Sequence, residues 1–287
     1  MSTDGRAGID AGLVSRLVAD QFPQWADLSV VPVEVDGWDN RTYRLGSELS
    51  VRLPTADSYV PAVEKEQRWL PVLAPHLPLP VPQPVALGAP SADFPRPWSV
   101  RRWIEGTPVV AGIDEDLLAL DLAEFLVALR GVDASSGPRA GAHSFFRGGP
   151  LAAYDEETRR CLARLELDDA DVWDTAVASA WDGPDVWFHG DVAVGNLLAR
   201  EGRLAAVIDF GTSGVGDPAC DLVIAWTFFG DSARETFRSA VGLDEDTWAR
   251  ARGWALWKAL LGLVDDPRSA GDLRTVERVI GEHRAGS

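Results

Sequence analysis

The chain has 287 residues, 46% hydrophobic and 25% charged, and its 27 Lys+Arg against 44 Asp+Glu give a formal net charge of −17. With no basic footprint for phosphate backbones, a general nucleic-acid binder is excluded, and docking on anionic lipid is argued against. No apolar run of about 18 residues exists, so a helical membrane span is excluded too. The charge excess is uneven: residues 1–103 carry 10 basic and 12 acidic side chains (−2), residues 104–287 carry 17 and 32 (−15). Two readings follow: an acidic surface that keeps the protein soluble, or a second part that receives a cationic small molecule.

Along the chain, Ile9, Leu13, Leu17 and Val18 recur at helical spacing, which predicts an amphipathic helix over residues 9–22. Short strand-forming segments follow at Val30–Val35, Thr42–Leu45 and Ser50–Leu53, punctuated by Asp36-Gly37 and Gly46. A helix over residues 62–73 ends at the prolines 75, 78 and 80, and Val85–Leu87 and Trp98–Trp103 read as further strands. After Gly106 the texture changes. Residues 114–131 put Leu118, Leu122, Phe125, Leu126 and Leu129 on one helical face, a Gly/Ser/Pro-rich loop spans 133–150, and helices fill 151–165 and 168–181. Val186–His189, Leu197–Ala199 and Leu204–Ile208 are short strands, the last two joined by Glu201-Gly202, and helices resume at about 218–229, 231–241, 245–264 and 271–283. The expected fold is α+β: a small, mostly antiparallel sheet lobe over residues 1–103, then a larger helical lobe over 104–287 with a hairpin inside it. Ligands commonly bind between two such parts.

Cys161 and Cys220 are far apart and form no metal-ligand spacing, which suits a reducing cytosol, and Met1–Asp10 lacks the basic-then-apolar pattern of a signal peptide. A cytoplasmic location is expected. There are 25 Arg but only 2 Lys, Lys65 and Lys258, so chemistry that needs a lysine has few places to find one.

The chemistry concentrates in residues 187–222. Asp191 follows a strand and Asn196 comes five residues later, a spacing at which one tight loop can aim a carboxylate and a carboxamide at one point. Asp209 follows another strand and precedes Gly211, which frees the backbone to turn away. Oxygen donors on loop tips suit Mg²⁺, a hard cation that shares its shell with phosphates. A further carboxylate that accepts a hydroxyl proton completes the parts that phosphoryl transfer needs.

At these residues the chain resembles the aminoglycoside phosphotransferase family, relatives of the protein kinases. His189-Gly190-Asp191 with Asn196 is similar to the H-G-D-x-x-x-x-N loop, Asp209-Phe210-Gly211 to the D-F-G element, and Gly216-Asp217-Pro218-Ala219-Cys220-Asp221 to the G-D-P-x-x-D segment. The resemblance implies a bilobal, kinase-like fold with ATP or GTP and Mg²⁺ as cofactors. In it Asp191 accepts or orients the hydroxyl proton, Asn196 and Asp209 hold the metal, and His189, Gly190 and Gly211 shape the loops. Asp217 and Asp221 are read as braces or caps.

In the first lobe the family's nucleotide-covering loop corresponds to Gly37–Leu45, with Asp39 and Asn40 at its tip. Glu66 occupies the place of the kinase ion-pair glutamate, with Glu64 competing for it, and Ser99–Trp103, ending in Arg102 and Trp103, occupies the hinge where the purine is met. Two departures stand out. The phosphate-contacting lysine is replaced by Arg52, and the second residue after Asp191, a histidine in many relatives, is Ala193.

The implied activity is a small-molecule O-phosphotransferase whose acceptor is cationic and aminoglycoside-like. The alternatives are a macrolide kinase, a choline- or homoserine-type metabolite kinase, or a nucleotide-binding pseudokinase module. A protein kinase is disfavoured because no A-P-E-like element follows Asp209-Phe210-Gly211. The expected partners are a nucleotide and a small hydroxyl acceptor, without nucleic acid or membrane. Antibiotic resistance does not follow from the resemblance, since substrate choice lives in the pocket.

Overall fold

The computed structural model describes residues 8–34, 36–37, 39–110 and 112–286. Val35 of the first predicted strand, Trp38 of the loop after it and the first seven residues lie outside the described residues. The chain forms two compact units, the first made of Met1–Pro75, Pro80–Glu105 and Ile208–Gly211, the second of His76–Leu79, Gly106–Val207 and Thr212–Ser287. Two segments cross a single cut after Trp103: His76–Leu79 belongs by its contacts to the second unit, and Ile208–Gly211 to the first although it lies over a hundred residues downstream.

In the first unit, helix α1 (Ala11–Gln21) begins where the Asp10 carboxylate accepts Leu13 N–H at 2.8 Å, the N-cap that satisfies an orphan donor. Strands β1 (Val30–Pro32), β2 (Asn40–Leu45), β3 (Leu49–Pro54), β4 (Pro84–Gly88) and β5 (Trp98–Arg102) form one sheet in the order β1-β2-β3-β5-β4, every described pairing antiparallel. Apolar residues alternate along its strands, so Tyr43, Leu45, Val51, Leu53, Trp98 and Val100 bury together against the α1 residues Leu13, Val14 and Leu17. Helix α2 (Val60–Leu73) carries Pro61 in its first turn, where a missing N–H costs nothing. It runs through Pro71 to Leu73, three residues beyond Leu70, where a proline stop would place its end.

The second unit is mainly helical. Its helices are α3 (Glu115–Arg130), α4 (Asp155–Arg164), α5 (Ala170–Ala178), α6 (Ile224–Thr227), α7 (Asp231–Val241), α8 (Glu245–Asp265) and α9 (Ala270–Gly286). The helices predicted over 151–165 and 218–229 each begin as a 3-10 turn, Leu151–Tyr154 and Pro218–Leu222. Fully buried Trp173, Trp187, Trp226, Trp248 and Trp254 fill its interior. Two small sheets sit within the unit. Strand β6 (Thr107–Pro108) pairs with the hairpin β8 (Leu197–Arg200)–β9 (Arg203–Val207), while β7 (Val186–Phe188) pairs with β10 (Gly214–Gly216). Neither β6 nor β10 was legible in the sequence, because two or three residues rich in Gly or Pro carry no alternation. Glu201 and Gly202 both have positive φ, 55° and 77°, the combination a tight two-residue hairpin requires. No helix among the described residues is long and apolar enough to cross a membrane.

Candidate active site

The loop between β7 and β8 is held by hydrogen bonds that its sequence makes possible. Gly190 has φ +87°, and a Cβ there would stand 2.8 Å from Thr212 O, so only glycine fits. The Asp221 carboxylate accepts His189 N–H at 2.8 Å and Gly190 N–H at 2.7 Å, pinning the start of the loop. Burial pushes the Asp221 carboxyl up, a shift that His189 and these two N–H groups oppose without cancelling. His189 is fully buried, and its Nδ1 accepts Asp191 N–H at 3.2 Å while its carbonyl accepts the Thr212 hydroxyl at 3.0 Å. Asn196 closes the loop: its Nδ2 donates to Asp191 O at 2.9 Å and to Asp191 Oδ2 at 3.1 Å.

The other oxygen of Asp191 meets a residue that the motif gives no hint of. Lys258 Nζ, on α8, donates to Asp191 Oδ1 at 2.9 Å. Burial would raise the Asp191 carboxyl, but the Lys258 charge and hydrogen bond, helped by Arg147, hold it below the ordinary carboxylate range. Asp191 is therefore ionised at neutral pH, with one oxygen committed to a cation and one to an amide. Arg147, Trp254, Trp257, Val192 and Val223 line a pocket with Asp191 and Lys258. Lys258 was findable: it is the single charged residue in residues 253–264, an otherwise apolar helical stretch. For Arg147, in the loop of 133–150, the sequence offers no comparable signal.

Asp217 stands apart from this loop. It caps the 3-10 turn Pro218–Leu222 by accepting Ala219 N–H at 3.0 Å, and it accepts Arg250 Nε at 2.7 Å. Both side chains are buried, and burial raises the Asp217 carboxyl against the pull of Arg250.

In the first unit Arg52, Glu66 and Asp209 come together, joined by Arg101. Glu66 receives Arg101 on both oxygens, at 3.3 Å and 2.6 Å, and Arg52 Nη1 lies 3.7 Å from it. Arg52 Nη2 donates to Asp209 Oδ1 at 3.1 Å, and Glu66 Oε1 also accepts Phe210 N–H at 3.1 Å. Glu66, and not the exposed Glu64, thus joins this cluster, and its closer partner is Arg101, not Arg52. Burial works against the charge on Arg52, but Asp209 and Glu66 overcome it and raise its pKa; for Arg101 burial prevails and its pKa is lowered. Strand alternation explains why sequence reasoning passed over Arg101. Successive residues of β5 face opposite ways, so Arg101 turns inward while Arg102 is exposed and lines a shallow pocket with Trp25 and Glu48. Trp103 stacks under Arg44, 4.6 Å from its ring centroid, so neither Arg102 nor Trp103 joins the Arg52 cluster.

The turn at Asp209 differs from expectation. The left-handed residue is Asp209 itself, with φ +67°, and Gly211 is not among the positive-φ glycines. Aspartate tolerates this region better than most residues, yet it remains a strained state that the Arg52 contact helps to hold. In the loop before β2, Asp39 O accepts both Thr55 N–H (2.9 Å) and the Thr55 hydroxyl (3.1 Å), and Asn40 is buried at the start of β2. Asp36 ties this loop by accepting Gly37 N–H and Thr42 N–H.

With this geometry in hand, the sequence model of the Phosphotransferase enzyme family matches residues 30–254, well over half the chain. The chain belongs to that family. No curated protein matches this phosphotransferase by sequence. Its fold is similar to that of the GDP complex of wild-type aminoglycoside 2'-phosphotransferase-IIIa, at 19% identity over 96% of this chain and 99% of that one, TM-score 0.71. It is also similar to the GDP and kanamycin complex of APH(2")-IIia, at 20% identity over 96% and 99%, TM-score 0.68. A third likeness is to the macrolide 2'-phosphotransferase MphH from Brachybacterium faecium, at 22% identity over 92% and 96%, TM-score 0.61. At these identities the likeness shows the kinase-like fold, and the chain shares it.

Proposed function

We propose that the protein is a small-molecule O-phosphotransferase, moving the γ-phosphate of ATP or GTP to an alcohol. The observation that carries this reading is the Asp191 carboxylate, ionised and fixed by Lys258 at 2.9 Å and Asn196 at 3.1 Å on a family loop. A fixed, charged carboxylate suits the task of orienting a hydroxyl and accepting its proton. In the step, the acceptor oxygen forms a bond to Pγ, its proton passes to Asp191, and the bond from Pγ to the bridging oxygen breaks, releasing the nucleoside diphosphate.

Arg52 would grip phosphate oxygens from β3, held in place by Asp209, while Glu66 and Arg101 fix the base of that cluster. The same reading gives Asn196 and Asp209 to Mg²⁺. The donor chemistry fits: with Asn196 Nδ2 spent on Asp191, its carbonyl Oδ1 is the end left for a hard cation, and Asp209 offers a carboxylate. Among the described residues no three His, Cys, Asp or Glu gather, so phosphate oxygens and water would complete the shell, as Mg²⁺ usually arranges. When bound, the metal supplies neutralisation of charge on the phosphates. Asp39 and Asn40 would contribute to the nucleotide loop, and Arg102 and Trp103 would meet the base through their main chain.

For the acceptor, an aminoglycoside-like cation draws support from the −15 charge of residues 104–287 and from the kanamycin complex of a structural neighbour. The side chains beside Asp191 weigh the other way.

Asp191→Asn tests the reading. Phosphoryl transfer should fall by about a hundredfold or more, the usual worth of a positioned base, with nucleotide affinity nearly unchanged. Full turnover in the variant, followed as nucleotide consumption across aminoglycosides, macrolides and small hydroxy compounds, would defeat the assignment.

A further inference from the structure

The void beside Asp191 measures about 10 Å³, room for one water, so the body of an acceptor cannot enter it. A hydroxyl reaches Asp191 from the side on which that residue is 35% exposed, and the rest of the molecule lies outside. Two outward rings stand nearby. Phe145 and Phe146, 39% and 47% exposed, are the only aromatic side chains among the exposed large apolar residues described. Arg147 joins them to the site: it lines the void with Asp191, and its guanidinium lies 6.0 Å from the Phe145 ring centroid and 5.7 Å from that of Trp257. Phe146 meets Tyr154 edge-on at 6.5 Å, and Tyr154 in turn lies 4.3 Å from Trp257.

The backbone that presents these rings is strained. Phe145 and Phe146 are consecutive left-handed residues, φ +49° and +55°, a region that bulky side chains adopt only under constraint. The constraint is a set of hydrogen bonds. The fully buried Ser144 hydroxyl accepts Gly141 N–H at 3.1 Å and donates to Arg147 O at 2.9 Å. Phe146 N–H donates to Gly141 O at 2.9 Å, and the Tyr154 hydroxyl donates to Phe145 O at 2.7 Å. Two strained residues in a row cost stability, and rings left in water recover little of it. Strain held in this way, beside an exposed apolar patch, marks a surface kept for contact.

We infer that Phe145 and Phe146 determine acceptor choice: they form an apolar lip on which the body of the acceptor lies while its hydroxyl reaches Asp191. The class that fits is a hydroxyl compound with a broad apolar face and little charge. A small polycation fits poorly, because it leaves both rings in water and brings its charge beside Arg147 and Lys258. The inference rests on the phosphotransferase reading for the hydroxyl, while binding at the lip stands on the two rings.

Erythromycin, a hydroxylated ring with a broad apolar face and one amine, and kanamycin, a polar polyamine, serve as probes in calorimetric titration of the full chain. Erythromycin should bind at least about tenfold more tightly. Phe145→Asn and Phe146→Asn keep the turn, since asparagine tolerates the left-handed region. Each should raise the Kd for erythromycin roughly fivefold or more, with nucleotide binding and the unfolding midpoint near wild type, and Phe146→Tyr should restore the affinity. Equal or tighter binding of kanamycin, or no binding of erythromycin up to its solubility limit, overturns the inference. So do Asn variants that lower the unfolding midpoint and leave erythromycin affinity unchanged, since the rings would then be structural. A wild-type dimer in sedimentation that both Asn variants abolish also overturns it, because a second copy would be the occupant. Erythromycin bound through the rings without any phosphoryl transfer would defeat the phosphotransferase reading and leave the lip intact. Transfer to kanamycin that neither Asn variant alters would do the reverse.

Discussion

The two units carry clusters of similar composition and opposite character. In the first, Glu66 and Arg101 close on one another, each 3% exposed and meeting through both carboxylate oxygens, with Arg52 and the part-exposed Asp209 at the edge of the pair. In the second, Asp191 and Lys258 pair while 35% and 41% exposed, and Arg147 beside them pairs with no carboxylate among the described residues. A closed buried cluster fixes geometry, because separating any member strands a charge in low dielectric. An open one leaves donors for something that arrives. The comparison teaches that exposure separates an ionic pair that fixes the framework, Glu66 with Arg101, from one left open to solvent, Asp191 with Lys258.

Substitutions can break this contrast. The largest effect is expected for Glu66→Gln, which strands Arg101 in the interior and should cost about 3–5 kcal/mol of stability, read from urea unfolding. A loss below about 1 kcal/mol would show that the cluster is not closed. Asp221→Asn comes next. Removing the charged acceptor of His189 and Gly190 should cost about 1–3 kcal/mol and speed amide exchange at both residues; unchanged exchange would show the loop is held by other means.

Lys65, buried beside Glu66 in α2, gives a pH test of the same neighbourhood. Burial lowers its pKa from 10.5 to about 8, so between those values the unfolded chain binds more protons than the folded one. Its burial penalty is complete below about pH 8 and fades as pH rises toward 10.5. The stability gap between wild type and Lys65→Met should therefore shift in favour of wild type by roughly 1–3 kcal/mol from pH 7 to pH 10.5. A gap that stays constant with pH would contradict it. The smallest stability effect belongs to Lys258→Met, at most about 1 kcal/mol because the pair is part-exposed, although transfer activity should fall severalfold. A stability cost matching that of Glu66→Gln would erase the contrast between the units.

How much of this the sequence contained varies by residue. The loop His189–Asn196 was legible because its chemistry is local: carboxylate and carboxamide lie five residues apart, and the structure ties them at 3.1 Å. Glu66 was legible as one of two candidates on a predicted helix, and packing chose it over Glu64. Lys258 left a trace as a lone charge in an apolar helix, but its pairing with Asp191, 67 residues away, did not. Arg101 lost to its neighbour Arg102 because a strand's alternation is visible in sequence and its phase is not. The net charge said least about the site: it sums over a surface, while a ligand meets only the few side chains that line its pocket.

By itself, then, the sequence determined the periodic elements, the family loop and the placement of its acids, since these follow from spacing along one chain. Tertiary structure decided which distant charges became partners. Arg101 with Glu66, Arg250 with Asp217 and Lys258 with Asp191 each join residues at least 33 apart, and only burial made those pairings matter. Ionic energies depend on separation and on the exclusion of water, and neither exists until the chain has folded.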